Sequence, residues 1–295
     1  MQNPYQLSCE STVDLPHDYM MEREVAVLYY TYTFGDEELT DDMGRDPEAL
    51  PRFYRRLRAG ELPSTSQINR MTYEAYFEEL LQKGDVLHIA FGSGMTPSVY
   101  RAEKAAEKLR GKYPERKLVV IDSLCSSAGY GLLVDSAADL RDMGKSMEET
   151  EAWVLSMRTK VHHQFFSTDL RYFRRSGRMS GPAASVASIL NICPLMRLDL
   201  DGHIIAYDKV RGRRNVIRET VASMEKHALD GNMYENKCYI VHSDCFDTAE
   251  KLREAVLEKF PHVKEVGIFP IGPVIASHAG PGTVALFFFG DEREK

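Results

Sequence analysis

Apolar positions in the first half of the chain switch between strand and helix periods. Val25–Phe34 is a run of β-branched, aliphatic and aromatic residues and predicts a strand. Residues 36–69 are polar, carry Pro51 and Pro63, and allow one short basic helix near 47–59. Tyr73, Tyr76, Phe77, Leu80 and Leu81 then recur at i, i+3, i+4, i+7 and i+8, one face of a helix. Val86–Phe91 is continuously apolar, as in a strand covered on both faces. Val99, Ala102, Ala106 and Leu109 mark another helix. Lys117–Asp122 reads as a strand, and 127–142 and 147–161 as helices. This alternation predicts a mostly parallel α/β sheet.

The second half has a different rhythm. His163–Ser167 predicts a short strand, 169–175 a short helix and 182–191 an Ala-rich helix. Runs at 194–199 and 203–208 flank Asp201-Gly202, a strong hairpin signal. Helices near 214–229 and 247–259 alternate with strands at 238–242, 264–269 and 283–289. Hairpin and helices together predict an α+β layer with a largely antiparallel sheet. The 295 residues amount to about two ordinary domains. The change of pattern falls near 158–162. The expected division is an N-terminal α/β domain over 1–160 and a C-terminal α+β domain over 161–295.

Lys and Arg number 37 against 44 Asp and Glu, a net charge of −7. That disfavours a general nucleic-acid binder, which needs a cationic surface. The five cysteines (Cys9, Cys125, Cys193, Cys238 and Cys245) are odd in number and scattered, without a CxxC. They read as reduced thiols of a cytoplasmic protein. MQNPYQLSCE has neither a basic n-region nor an apolar core, so no secretory signal is expected. The longest apolar runs fall well short of the ~20 residues that span a bilayer.

Candidate chemistry is spread over several segments. Gly92-Ser93-Gly94-Met95-Thr96-Pro97-Ser98 joins a predicted strand to a predicted helix, where backbone N–H groups and the helix dipole attract anions. Thr96 suits an N-cap and Pro97 the first helical position. The loop is neither a nucleophile elbow, since residue 91 is Phe, nor a phosphate-binding P-loop. Thr65 and Ser66, in Pro63-Ser-Thr-Ser-Gln67, offer hydroxyl donors. Arg171, Arg174, Arg175 and Arg178 are spaced at i, i+3, i+4 and i+7, but Ser176-Gly177 should end the helix and aim Arg178 elsewhere. His278 precedes Ala279-Gly280-Pro281-Gly282 and the apolar run Thr283–Phe289, where a loop histidine reaches a pocket mouth. Cys238 and His242, about 13 Å apart along a strand, are too distant to share an ion. His162-His163 has no helical i, i+4 partner, so no metal is expected.

Together these segments resemble the DegV family, the fatty-acid-binding proteins that serve bacterial fatty acid kinase. The likeness rests on Ser11-Thr-Val-Asp-Leu15, Thr65-Ser-Gln67, Gly92-Ser-Gly-Met-Thr96, Ser176-Gly-Arg-Met-Ser180, Asp201-Gly202 with Lys209-Val-Arg-Gly212, and His278-Ala-Gly-Pro-Gly282. The order of the six motifs is specific where each alone is weak. The resemblance implies a long-chain fatty acid, such as palmitate or oleate, between two α/β domains, with no cofactor. Its carboxylate would meet Thr65, Ser93, Arg178 and His278. Ser66, Gly94, Thr96 and Gly280 are secondary ligand-loop candidates. Gly92 and Pro97 stand where the family's loop carries Ser and Gly, which makes Thr96 the substitute for Ser93. A separate kinase catalytic subunit would phosphorylate the carboxylate, with transient membrane-surface contact in delivery. The tail would need apolar walls, for which 183–192 and Val284–Phe289 are candidates. Two other readings compete: a lipid hydrolase using Ser93 with His278, and a binder of nucleic acid or anionic membrane using the basic residues at 171–178 and 209–218.

Overall fold

The computed structural model describes residues 4–180 and 192–295. The helix expected over 182–191, and with it nearly all of the tunnel segment 183–192, lies outside the described residues.

The first half runs β1 (Gln6–Glu10), α1 (His17–Glu22), β2 (Val25–Leu28), β3 (Thr31–Phe34), β4 (Glu37–Thr40), α2 (Ala49–Arg58) and β5 (Ser64–Thr65). It continues with α3 (Arg70–Leu81), β6 (Val86–Ala90), α4 (Ser98–Lys112), β7 (Leu118–Asp122), α5 (Ser127–Asp142) and α6 (Met147–Met157). The second half runs β8 (Val161–Ser167), α7 (Arg171–Ser176), β9 (Met179–Ser180), β10 (Ile192–Leu198), β11 (Ile204–Arg211) and α8 (Arg213–His227). After it come β12 (Lys237–His242), α9 (Phe246–Lys259), β13 (Glu265–Pro270), α10 (Pro273–Ala279) and β14 (Thr283–Phe289).

The described residues form three sheets. A parallel sheet has the order β2-β1-β6-β7, and a small antiparallel one the order β4-β3-β5. The third has the order β13-β12-β14-β8-β10-β11-β9 and is antiparallel except at β12–β13 and β11–β9. Every strand of the first two sheets precedes residue 160, and every strand of the third follows it. The expected combination of a parallel and a largely antiparallel α/β layer is what the molecule has.

One predicted strand is two. Val25–Phe34 divides after Leu28, and its halves join different sheets. The break follows from hydrogen bonding at Tyr30. Its N–H donates to Ser11 Oγ, and its carbonyl accepts from Asp41 N–H. The chain is thereby drawn away from β1. The strand signal missed β1 itself, which lies inside the parallel sheet, because QLSCE is half polar. Glu10 on β1 is fully buried yet satisfied: it accepts from Tyr130 Oη at 2.6 Å, Tyr73 Oη at 2.7 Å, Phe91 N–H at 2.8 Å and His88 Nε2 at 3.1 Å. Burial pushes its carboxyl upward. His88 and the tyrosine donors outweigh that and hold it below the usual range.

The two halves are joined through α5. This helix packs against β8, β12 and β14 of the third sheet, while α8 and α9 also pack on that sheet. Gly129 makes the approach possible: a Cβ there would lie 2.4 Å from His163 Nε2 and 2.6 Å from Phe287. Asp135 of α5, 1 % exposed, accepts from Tyr19 Oη at 2.7 Å and Tyr239 Oη at 2.8 Å. It also pairs with Arg23 at 3.1 Å and with Lys237.

Glu10→Ala leaves buried donors without an acceptor. It should cost about 3–5 kcal/mol in urea unfolding, against no more than about 0.5 kcal/mol for Glu79→Ala on the surface. A loss below about 1 kcal/mol for Glu10→Ala would show that the network is dispensable.

Candidate functional site: an apolar cavity with one basic end

A cavity of about 980 Å³, its mouth included, opens where β5, α7, α10 and the Gly92–Ser98 loop meet the third sheet. Its walls are largely apolar, with Phe91, Met95, Phe165, Val241, Ile275 and Phe287 among them. Strand alternation selects which residues face it: along β14, Thr283, Ala285 and Phe287 line the space, and the residues between them do not. Of the Val284–Phe289 candidate segment, Ala285 and Phe287 are therefore cavity wall.

The polar end is built by three short elements. Thr65 sits on β5, registered opposite Tyr32 of β3. Arg178 follows Gly177, whose positive φ of 65° ends α7 and turns the chain, as the sequence implied. His278 is not in a loop but in the last turn of α10, a seven-residue helix with Pro273 in its first turn. Gly280 lets α10 press onto α7, since a Cβ there would lie 2.2 Å from the Tyr172 ring. That close packing brings His278 beside Arg178.

The three side chains form a chain of hydrogen bonds. Arg178 Nη1 donates to His278 Nδ1 at 2.9 Å. Because Nδ1 accepts, the neutral ring carries its proton on Nε2, which donates to Thr65 Oγ1 at 2.8 Å. The Thr65 hydroxyl keeps its own proton for a further acceptor. Arg178 also donates to the carbonyls of Met95 and Ser176, both at 3.2 Å. Among the described residues no carboxylate pairs with it. Burial pushes its guanidinium below the ordinary value. Burial, then the charges of Arg178 and Arg175, push His278 down to about 3. Arg175 braces the site by donating to the carbonyls of Pro63 at 3.0 Å and Ser277 at 3.1 Å.

Of the residues singled out from sequence, Thr65, Ser66, Thr96, Arg178 and His278 line the cavity, while Ser93, Gly94 and Gly280 are not among its lining residues. The Ser93 N–H donates to Asp122 Oδ1 at 3.0 Å. A Cβ on Gly94 would lie 2.3 Å from the Gly202 carbonyl, so this loop seats on the β10–β11 hairpin turn. The helix start is one residue later than expected: Pro97 is the N-cap of α4, and Thr96 Oγ1 lies 3.4 Å from the Ser98 N–H. Sequence reasoning missed Met95, Ser126, Ser127 and His163 as lining residues. The His163 ring is fixed as the Nδ1–H tautomer, donating to the Val161 carbonyl and accepting from Ser126 N–H, each at 3.0 Å. Both nitrogens of His278 are likewise engaged, by Thr65 and Arg178 rather than by Ser93. Among the described residues no helix is long and apolar enough to cross a membrane.

An α/β architecture holding an interior apolar cavity, with one guanidinium at its polar end, defines a class of protein shaped to house an amphiphile with an anionic head. A family model described as an uncharacterised protein of the DegV family matches residues 6–291. A DegV domain-containing protein of Clostridium perfringens is 35% identical over 287 residues, 97% of each chain. A DegV family protein from Thermus thermophilus, described as fatty-acid binding, has a TM-score of 0.86 at 25% identity, covering 97% of this chain and 99% of that one. The fatty acid kinase B3 protein of Streptococcus pneumoniae, loaded with linoleic acid, has a TM-score of 0.82 at 19% identity, covering 97% and 99%. The chain belongs to the DegV family.

The depressed His278 has a direct consequence for pH. The unfolded chain takes up a proton near pH 6.5 that the folded chain refuses until about 3. Stability should therefore fall as pH drops from about 6.5 toward 3. In thermal melts at pH 7 and pH 5, His278→Gln should lose less stability on acidification than the parent. An identical loss in both would mean that His278 is not held neutral by its surroundings.

Proposed function

We propose that this protein holds one long-chain fatty acid, of the palmitate or oleate kind, and presents its carboxylate to a separate fatty acid kinase catalytic subunit. It is a lipid carrier with no catalysis and no cofactor of its own. The carboxylate is received by Thr65, Arg178 and His278, with Ser66 and Thr96 at the same end. Ser93, with Gly94 behind it, approaches only with the loop. Transient contact with a membrane surface, in the cytoplasm, completes the delivery, and nucleic acid is not a partner.

The observation that carries this reading is the half-buried Arg178, which has carbonyls and a neutral histidine around it and no carboxylate among the described residues. A carboxylate arriving there supplies the missing charge through charge-assisted bonds. The apolar wall supplies the affinity. About 15 carbons beyond the carboxyl group are worth ~12 kcal/mol gross at ~0.8 kcal/mol per methylene, much of which is spent on lost freedom of motion. The fatty-acid binding described for the Thermus thermophilus relative supports the same reading.

Native mass spectrometry of protein from a bacterial host should show a mass excess equal to one fatty acid. A clean apo mass, with no uptake of added palmitate or oleate, removes the proposal. Arg178→Ala should weaken acyl retention by at least about tenfold, the equivalent of ~1.4 kcal/mol, and by more than Arg175→Ala does. Equal effects would move the carboxylate away from Arg178. Chromogenic esters should show no turnover.

A further inference from the structure

The cavity leaves unused a second cluster on the far side of the third sheet. His162 of β8, His227 at the end of α8 and Asp291 after β14 converge there from three distant parts of the chain. His162 and His227 are 5% and 8% exposed, and the Asp291 side chain is more than half exposed. His162 Nε2 lies 3.0 Å from Asp291 Oδ1 and 3.0 Å from the Asp291 carbonyl. His227 Nδ1 lies 3.0 Å from Oδ1 and 3.2 Å from Oδ2. The nitrogen and oxygen ligand atoms all fall within 4.8 Å of one another.

The nitrogen-to-carboxylate separations are close to what a small cation requires. Tetrahedral zinc with bonds of about 2.0–2.1 Å sets its ligand atoms roughly 3.3 Å apart. The carboxylate need retreat only a few tenths of an ångström from each imidazole. The histidines are held in place beforehand: the His162 ring stacks on Phe288 at 5.1 Å and on His227 at 4.9 Å. Gly290 lets the chain lie directly over them, because a Cβ there would be 2.3 Å from the His227 carbonyl and 2.9 Å from His162 Nε2. The Arg293 guanidinium is held on the carbonyls of Val161 and Leu124, at 3.3 and 2.9 Å.

We propose that His162, His227 and Asp291 bind one zinc ion, with water completing the shell on the exposed side of Asp291. Two imidazoles and a carboxylate are a donor set that suits zinc better than magnesium or calcium. The ion would staple the end of α8, the start of β8 and the C-terminal segment together. The role is structural and separate from the cavity, so it stands or falls independently of the fatty acid.

The test uses the full-length protein, stripped with a chelator and dialysed, then titrated calorimetrically with zinc and followed with cobalt by visible absorption. One equivalent should bind with Kd below about 100 µM and raise the Tm. His227→Gln and Asp291→Asn should each weaken binding at least about tenfold while melting like the parent in chelator. Thr65→Ala should bind as the parent does. Weaker binding than this threshold overturns the site and leaves a hydrogen-bonded latch. So does unchanged affinity in both variants, or a loss that follows Cys245→Ser instead.

Discussion

A half-buried guanidinium that meets no carboxylate among the described residues sets the terms for the rest of this structure. Arg178 gives its hydrogens to two carbonyls and to His278, none of which carries a negative charge. Desolvating a cation is costly unless the geometry around it is good. The surrounding fold supplies that geometry. Gly177 turns the chain, Gly280 brings α10 onto α7, and β5 carries Thr65 to the other side of the imidazole. The histidine acts as a neutral relay between a permanent donor and a hydroxyl. Its tautomer follows from the arginine, and the orientation of the threonine proton follows from the tautomer. One cation thus sets the polarity of the whole end of the cavity.

Legibility of the fold depended on whether a segment's packing was local. Long periodic segments such as α3 and α4 showed themselves because their apolar face repeats within the helix. The strand Gln6–Glu10 did not, because Ser8 and Glu10 are buried through partners far along the chain: His88 for the serine, and Tyr73, His88, Phe91 and Tyr130 for the carboxylate. Polar residues that look solvated in sequence become core once those donors arrive. The division of Val25–Phe34 has the same origin. Nothing within the run marks the break, which Ser11 and Asp41 impose at Tyr30 from outside. The helix α10 escaped notice because seven residues between two glycines offer too little periodicity.

The candidate site was legible where a short motif carries its own backbone geometry. Gly177 announced the turn that presents Arg178, and the hydroxyl cluster around Thr65 was conspicuous for its density. The residues that escaped, His163 and the Ser126-Ser127 pair, reach the cavity only because α5 crosses onto the third sheet. The glycine-rich loop drew attention to Ser93 for sound chemical reasons. Its glycines instead serve close packing, with Gly94 against the Gly202 carbonyl and Gly92 against Cys125. Backbone proximity to a ligand and backbone proximity to another loop leave the same trace in a sequence.

The Asp135 junction bears on how such a protein evolves. The aspartate belongs to the first half by chain position. Yet Lys237 and Tyr239 of the second half hold one of its oxygens, while Tyr19 and Arg23 hold the other. Swapping either half for that of a distant cousin would strand a buried carboxyl group in oil unless the opposite cation and phenol came with it. Shuffling at the midpoint is therefore penalised at this junction.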